Sequence, residues 1–151
     1  MIVDSLMHII MTDLRQDEGY RQRVYDDATG ETIVPGYTVI GNPTIAFGRN
    51  LLDPGVSKAE GDILLRNDII RAMDALQRKF PESASLSNNR YQVLVNMVVN
   101  MGISRFLGFE KMIAAIIAGD WERAGVELMD SDAGRELPAR YGRLKSLLIK
   151  G

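Results

Sequence analysis

The side chains best suited to proton transfer in this sequence are carboxylates. The chain has no cysteine and a single histidine, His8, so neither a thiolate nor a pair of histidines is available for acid–base chemistry. The stretch "DEGYRQRVYDD" (residues 17–27) supplies Glu18 and, nine residues later, Asp27. Glycoside hydrolysis uses two such carboxyl groups, one kept protonated and one ionised. Acidic residues at this spacing are also common on solvated surfaces, so the pair alone fits both interpretations.

Two threonines in "GYTVIGNPTIAFGRN" (residues 36–50) form a second candidate feature. Thr38 and Thr44 each open a short β-prone stretch that closes near a glycine. A three-residue loop at 41–43 would place both threonines on one face of a hairpin, whereas a two-residue loop at 42–43 would place them on opposite faces. Strand geometry therefore does not decide which threonine has a chemical role.

Apolar residues at helical spacing begin the chain and dominate its second half. The first predicted helix covers residues 3–17, and Gly19 follows it as a left-handed stop. Ser57 and Glu60 form a capping box that opens a long helix over 57–80. Four further helices are predicted at residues 88–101, 104–118, 120–129 and 138–150.

Between residues 20 and 48 the pattern changes, because turn signals follow one another at short intervals. The β-prone stretches between the turns are residues 32–34, 38–40 and 44–47. They predict a small antiparallel sheet with short strands. The fold class is therefore α+β, with a small N-terminal lobe (about 1–56), a connecting helix (57–80) and a mainly helical lobe (81–151). A cleft between the lobes is the expected ligand site.

Composition excludes several classes of protein. The formal net charge of −2 disfavours a nucleic-acid binder. Without cysteine, neither disulfides nor a thiolate metal site can form, which suits a reducing cytoplasm. No basic leader and no run of about 20 apolar residues occurs, so neither a signal peptide nor a transmembrane segment is expected. We expect a monomer with no metal and no cofactor.

Several motifs carry a resemblance to one family. "DEG" (17–19), "YDD" (25–27), "PTIAFGRNL" (43–51) and "RYQVLVNMVVNMG" (90–102) resemble the lysozymes of tailed phages, glycoside hydrolase family 24, of which the T-even phage lysozyme is a member. "FLGFEKM", "GDWERAGVELMDS" and "LPARYGRL" continue the resemblance in the same order. It covers roughly residues 14–148 and implies one lysozyme-like domain over 1–151, with the last helix grouped with the small lobe.

The resemblance implies a catalytic role for three residues. It places the general acid at Glu18, the second carboxylate at Asp27 and the water-positioning hydroxyl at Thr44, because "PTIAFGRNL" is the matching stretch. Thr38 then becomes a structural strand residue of an enlarged hairpin. Asp26, which neighbours Asp27, is expected to be solvated.

Further residues are implied to support the substrate. Arg140 follows the family's arginine near the start of the last helix, which pairs with the catalytic glutamate, here Glu18. Asn100 and Gly102 fall where the helical lobe lines the cleft, and Tyr25 is expected in the cleft wall or core.

The sequence departs from the family pattern twice. The stretch from Asp27 to Thr44 is longer than in the T-even member, which enlarges the hairpin region. Ala46 replaces the first glycine after "TI". Since alanine is acceptable in a strand, we expect only a small change in how closely the backbone approaches the substrate.

The resemblance implies a muramidase that hydrolyses the β-1,4 bond between N-acetylmuramic acid and N-acetylglucosamine in bacterial peptidoglycan, with inversion. Inversion requires carboxyl groups about 6.5–9.5 Å apart. The implied role is lysis of a host cell by a phage or prophage, with synthesis in the host cytoplasm and release through a separate pore-forming holin. A tail- or virion-associated lysin is equally compatible.

Two alternative functions remain open at this stage. A lytic transglycosylase would use one glutamate and leave 1,6-anhydro ends. A helix-turn-helix DNA binder is suggested by "VVNMGISRFLGFEKM" (98–112), but its second helix offers only Arg105 and Lys111 as basic residues. The basic residues of 135–150 form either a solvated helix face or a contact with an anionic cell wall or membrane surface.

Overall fold

The computed structural model describes residues 2–151, which divide into two compact units, residues up to Gly61 and residues from Asp62 onward. Met1, the first residue of the predicted domain, lies outside the described residues. The α+β class is confirmed, since a small antiparallel sheet lies in the first unit and the second is helical. The lobe boundaries and the single-domain assignment stay predictions.

The first unit contains one helix and a three-stranded sheet. Its elements are α1 (Ile2–Glu18), β1 (Arg21–Asp26), β2 (Pro43–Ala46) and β3 (Arg49–Asn50), and the sheet order is β1-β2-β3. As predicted, α1 ends at Gly19, which adopts φ +65° and donates its N–H to the Arg15 carbonyl over 3.2 Å.

The middle strand of this sheet is the predicted 44–47 stretch, but the other two predicted strands are wrong. Residues 38–40 form no strand, and the 32–34 stretch is reduced to one bridge, between Thr32 and Tyr25. Neither hairpin register that we considered for Thr38 and Thr44 occurs, because β1 and β3 already flank β2 and pair Thr44 with Tyr25 and Asn50. The residues between β1 and β2 instead form an irregular loop.

Ala46 ends β2 in the left-handed region, at φ +58°. The register between β1 and β2 also shifts between Arg21 and Tyr25, next to the pair that joins Arg21 to Ala46. Alanine is accommodated as the last residue of the strand, as expected, but in a conformation that carries a steric cost for a residue with a Cβ. How closely the backbone approaches a substrate here stays a prediction. The backbone conformation at this position is one that glycine adopts without steric cost.

Replacing Ala46 with Gly is expected to stabilise the first unit by about 1 kcal/mol, because it relieves the steric cost of a Cβ at positive φ. Urea unfolding followed through a probe in the first unit, such as amide signals of β1 and β2, measures this change. Trp121, which lies in the second unit, serves as an internal reference. A lower unfolding midpoint for the first unit of Ala46→Gly would contradict the interpretation.

The second unit is built from helices. After α2 (Lys58–Lys79), which begins in the first unit, come a 3₁₀ helix (Pro81–Ser85), α3 (Asn88–Met101), α4 (Ile103–Leu107), α5 (Glu110–Ile117), α6 (Trp121–Met129), α7 (Asp132–Glu136) and α8 (Pro138–Lys150). The capping box of α2 is confirmed, since Glu60 accepts from the N–H and hydroxyl of Ser57 at 2.9 and 2.8 Å.

Helix α3 is the centre of the hydrophobic core of the second unit. Its buried residues Leu94 and Met97 are fully enclosed, as are Leu128 of α6 and Leu148 of α8. Within this unit α8 packs against α3, α6 and α7. Whether α8 also belongs with the small lobe, as the resemblance implies, stays a prediction.

The predicted single helix over 104–118 is wrong, because Gly108 separates α4 from α5. The N–H groups of Gly108 and Phe109 bond to carbonyls three residues earlier, which tightens and ends α4. One residue, Gly102, separates α3 from the five-residue α4, so the turn and reading helix of a helix-turn-helix are not formed. No helix within residues 2–151 combines the length and the apolar character needed to cross a membrane.

Candidate active site

Asp27 follows β1 directly and is held mainly by Asn42, the residue that precedes β2. Its Oδ1 accepts from the backbone N–H of Asn42 over 2.6 Å, and its Oδ2 accepts from the Asn42 side-chain amide over 3.0 Å. The Asp27 N–H in turn donates to the Asn42 carbonyl over 3.1 Å. The N–H of Asn42, followed by its side-chain amide, lowers the pKa of Asp27. Asp27 is exposed, so its ionised carboxylate is both oriented and accessible.

Thr44 lies in the middle of the sheet beside this network and is only 4% exposed. Its hydroxyl donates to the Asn42 carbonyl over 3.1 Å. The hydroxyl hydrogen is thereby used, so towards a third molecule the Thr44 oxygen acts as an acceptor. Asn42 therefore connects Asp27 and Thr44, whereas Thr38 lies exposed in the loop.

Tyr25 supports Thr44 from the neighbouring strand. The two residues pair across β1 and β2, and the Arg21 guanidinium covers the Tyr25 ring at 4.5 Å from its centroid. Tyr25 is half-buried. A direct contact of Tyr25 with substrate stays a prediction.

Glu18 is the last residue of α1, and its side chain lies against the turn that follows β2. A Cβ added to Gly48 would come within 2.8 Å of the Glu18 Oε2 atom. Gly48 also adopts φ +75°. The positive φ favours glycine at this position, and a Cβ there would also push the end of the exposed Glu18 side chain out of its place. The glycine of "AFGRN" thus lets the Glu18 carboxylate lie directly over the chain.

Glu18 and Asp27 belong to the same unit but to opposite ends of the β1–β2 pair. Glu18 lies near Gly48, beyond the Arg21–Ala46 pair, and Asp27 lies at the Asn42 end. The two carboxyl groups therefore have separate surroundings. That arrangement suits a reaction in which one carboxyl group gives a proton and the other takes one.

Arg140, Asn100 and Gly102 belong to the second unit. Arg140 donates through Nε and Nη2 to the Asn96 side-chain oxygen, at 3.2 and 2.8 Å. Gly102 ends α3 at φ +80°, with its N–H bonded to the Val98 carbonyl. The pairing of Arg140 with Glu18 and the cleft between the lobes stay predictions.

Asn100 lines a pocket of about 890 Å³ in the second unit. The charged residues of its lining are Arg105, Glu110, Lys111, Glu127, Asp130, Asp132, Arg135 and Glu136. Both signs of charge are present, so the pocket suits polar ligands rather than an apolar one.

Sequence reasoning missed one residue and misjudged another. Asn42 organises both Asp27 and Thr44, and the only signal was its place in the "GNP" turn before the matching stretch. Asp26, expected to be solvated, is fully buried. Its pKa is lowered by the N–H of Ile40 above all, against the opposing effect of burial.

Thr44→Ala is expected to lower kcat on cell walls on the order of 10–100-fold, because the acceptor beside Asp27 is lost. Thr38→Ala should leave kcat unchanged, since Thr38 is exposed outside the sheet. Thr44→Ser retains the hydroxyl and should recover most of the activity. Clearance of purified cell walls measures all three variants, and loss of activity in Thr38→Ala alone would overturn the assignment.

Comparison with known proteins places the chain in a family. The phage lysozyme family model matches residues 15–143, and the chain belongs to that family. The prediction of a lysozyme-type glycoside hydrolase is thereby confirmed at the level of the family.

Three relatives are 25–28% identical to the chain over the aligned residues, which cover 91% of the chain in each case. Two are the probable T4-type lysozymes 2 and 1 of Dictyostelium discoideum, at 27% and 25% identity, and the chain spans 92% of each. The other is the pre-baseplate central spike protein Gp5 of Enterobacteria phage T4, at 28% identity, of which the chain spans 27%.

Proposed function

We propose that the chain is a peptidoglycan hydrolase that cleaves the β-1,4 bond between N-acetylmuramic acid and N-acetylglucosamine. The observation that carries the proposal is the Asp27–Asn42–Thr44 network, with Glu18 seated over Gly48 at the other end of the same strand pair. Family membership supports the class of reaction.

In the proposed reaction Glu18, protonated, gives its proton to the glycosidic oxygen as the bond from that oxygen to the sugar C1 breaks. A water molecule held by Asp27 and Thr44 donates one hydrogen to each, which turns its oxygen lone pair towards C1. As the new bond to C1 forms, the water proton passes to the Asp27 carboxylate. The leaving sugar takes the proton of Glu18, so the two carboxyl groups exchange protonation states and solvent restores them. Attack by water on the opposite face gives inversion.

The lowered pKa of Asp27 suits this role, because a base must be ionised when the substrate binds. The Asn42 amides that lower it also hold the carboxylate in place, and the exposed Asp27 side chain stays accessible to water. Thr44 accepts rather than donates at this point, since its own hydrogen is directed to the Asn42 carbonyl.

For the biological role, we propose lysis of a bacterial host by a phage or prophage, with release to the wall through a separate holin. A virion-associated lysin is the second candidate, favoured by the match to part of the phage T4 spike protein. The two roles use the same reaction. They are distinguished by whether the protein is found in purified virions or free in the lysate.

The chemistry is tested by digesting purified, insoluble peptidoglycan and reducing the products with borohydride. A muramidase creates reducing muramic acid ends, which borohydride converts to muramitol. Glucosaminitol would instead indicate a glucosaminidase, and 1,6-anhydromuramic ends would indicate a lytic transglycosylase. Either of the last two results contradicts the proposal.

A further inference from the structure

Asp26 is a fully buried carboxylate beside Asp27, yet the proposed reaction gives it no role. Its oxygens are occupied by donors of the loop between β1 and β2. Oδ1 accepts from the N–H groups of Ala28 and Gly41 at 2.9 and 3.0 Å, and Oδ2 accepts from the N–H of Ile40 at 2.6 Å and the hydroxyl of Tyr37 at 3.4 Å. A buried carboxylate with this many donors organises the chain around it.

The donors of the two neighbouring carboxylates are consecutive in the chain. The N–H groups of Ile40 and Gly41 point to Asp26, and the next N–H, that of Asn42, points to Asp27. Because each peptide unit is planar, once the first two N–H groups are fixed only the φ and ψ of Gly41 set the direction of the third. Asp26 thus acts on Asp27 through the backbone of Asn42.

Gly41 is the point at which the two networks meet. A Cβ added there would lie 2.2 Å from Asp27 Oδ1 and 2.7 Å from the Ala28 Cβ. No side chain fits between the loop and Asp27. The loop therefore sits directly against the carboxylate, and a small displacement of residues 40–42 changes the Asp27 surroundings.

We propose that Asp26 is a positioning residue, which holds residues 40–41 so that Asn42 orients Asp27 and Thr44 for attack by water. The catalytic effect of Asp26 rests on the proposed function. The structural coupling of Asp26 to Asp27 does not depend on that function. The longer stretch between Asp27 and Thr44 is then a loop folded around a buried anion, and it supports the base rather than serving as an extra hairpin.

Asp26→Asn tests the proposal. Asparagine keeps one oxygen, but its NH₂ group replaces the other and cannot accept the hydrogen bonds that the second carboxylate oxygen accepts in Asp26. We expect kcat to fall on the order of 10–100-fold with little change in KM, since the reacting groups are misplaced while the sugar contacts remain. Glu31→Gln removes the same charge from the same loop without touching those bonds and should behave as the wild type.

The pKa of Asp27, measured by NMR titration of its carboxyl carbon, separates positioning from a charge effect. The Asp26 charge by itself raises the pKa of Asp27, so neutralising it alone would lower that pKa. The Asn42 bonds lower it, and their loss in Asp26→Asn should raise it instead. A pKa of Asp27 that falls or stays unchanged in Asp26→Asn overturns the proposal.

If Asp26→Asn fails to fold, the wild type gives the answer. The N–H protons of Ile40, Gly41 and Asn42 should all shift as Asp26 titrates, and an Asn42 proton that follows Asp27 alone overturns the proposal. These titrations need no substrate. Full activity of Asp27→Asn would refute the proposed function and still leave the coupling of Asp26 to Asp27 measurable.

Discussion

Replacing Glu18 with Gln is expected to lower kcat on purified cell walls by about 10²–10⁴-fold, the usual contribution of a general acid. Glutamine has the shape of glutamate, so it fits the same place over Gly48, but it has no proton to give to the leaving sugar. Glu18 is exposed at the end of α1, and the free energy of unfolding should change by less than about 0.5 kcal/mol.

Asp17→Asn is the matched control for Glu18→Gln. Asp17 is the neighbouring carboxylate of the same helix, it is also exposed, and the proposed reaction does not use it. Turbidity loss with equal amounts of folded protein compares the two variants. A fully active Glu18→Gln, or an equal loss in Asp17→Asn, would remove Glu18 from the role of acid.

Asp27→Asn should cause the second large loss, again about 10²–10⁴-fold in kcat, because asparagine cannot accept the proton of the attacking water. The Asn42 N–H still finds an oxygen on the new side chain, so the loop should keep its conformation. Unchanged amide chemical shifts at residues 40–42 would verify that the loss is chemical. If Asp27→Asn stays active while Glu18→Gln loses activity, the result would instead favour a mechanism with a single carboxyl group.

The pH profile follows from the same bonds. Because the pKa of Asp27 is lowered by Asn42, the base stays ionised below the ordinary aspartate pKa of about 3.9. The acidic limb of kcat/KM, which reports the free enzyme, should therefore lie below that value. The ionised Asp27 carboxylate also stabilises the folded protein. Because the pKa of Asp27 is lower in the folded than in the unfolded chain, this stabilisation is fully present above the unfolded pKa and is lost as the pH falls through the folded pKa. In Asn42→Ala the limb should move to higher pH.

Helical elements with strong sequence signals were predictable at nearly their true bounds. Gly19 ends α1, the Ser57–Glu60 capping box opens α2, and Pro138 begins α8 as the sequence indicated. These signals are local, because each depends on residues within one or two turns of a helix. The break at Gly108 was missed because one glycine inside an apolar pattern does not by itself end a helix.

The region between the two carboxylates was not predictable in the same way. Thr38 and its neighbours have high β propensity, but the N–H groups of Ile40 and Gly41 bond to a carboxylate more than ten residues earlier. Period and propensity carry no information about such a long-range partner. Asp26 looked like a surface residue for the same reason, since the chain that buries it lies in another part of the loop.

Candidate site residues were found by resemblance, and their surroundings were found only in the structure. Glu18, Asp27 and Thr44 could be named from matching motifs, whereas the role of Asn42 as the link between Asp27 and Thr44 required coordinates. At Ala46 the sequence alone shows that alanine stands in place of a glycine, but only the structure shows that this residue adopts a positive φ.

The most direct test of the account is digestion of purified peptidoglycan in water enriched in ¹⁸O, followed by mass spectrometry of the products. Hydrolysis with Asp27 as base adds one water to C1, so each new muramic acid end should carry one ¹⁸O atom, and Asp27→Asn should release almost none of these ends. Products that lack ¹⁸O and weigh one water less, with wild-type yield from Asp27→Asn, would contradict the account.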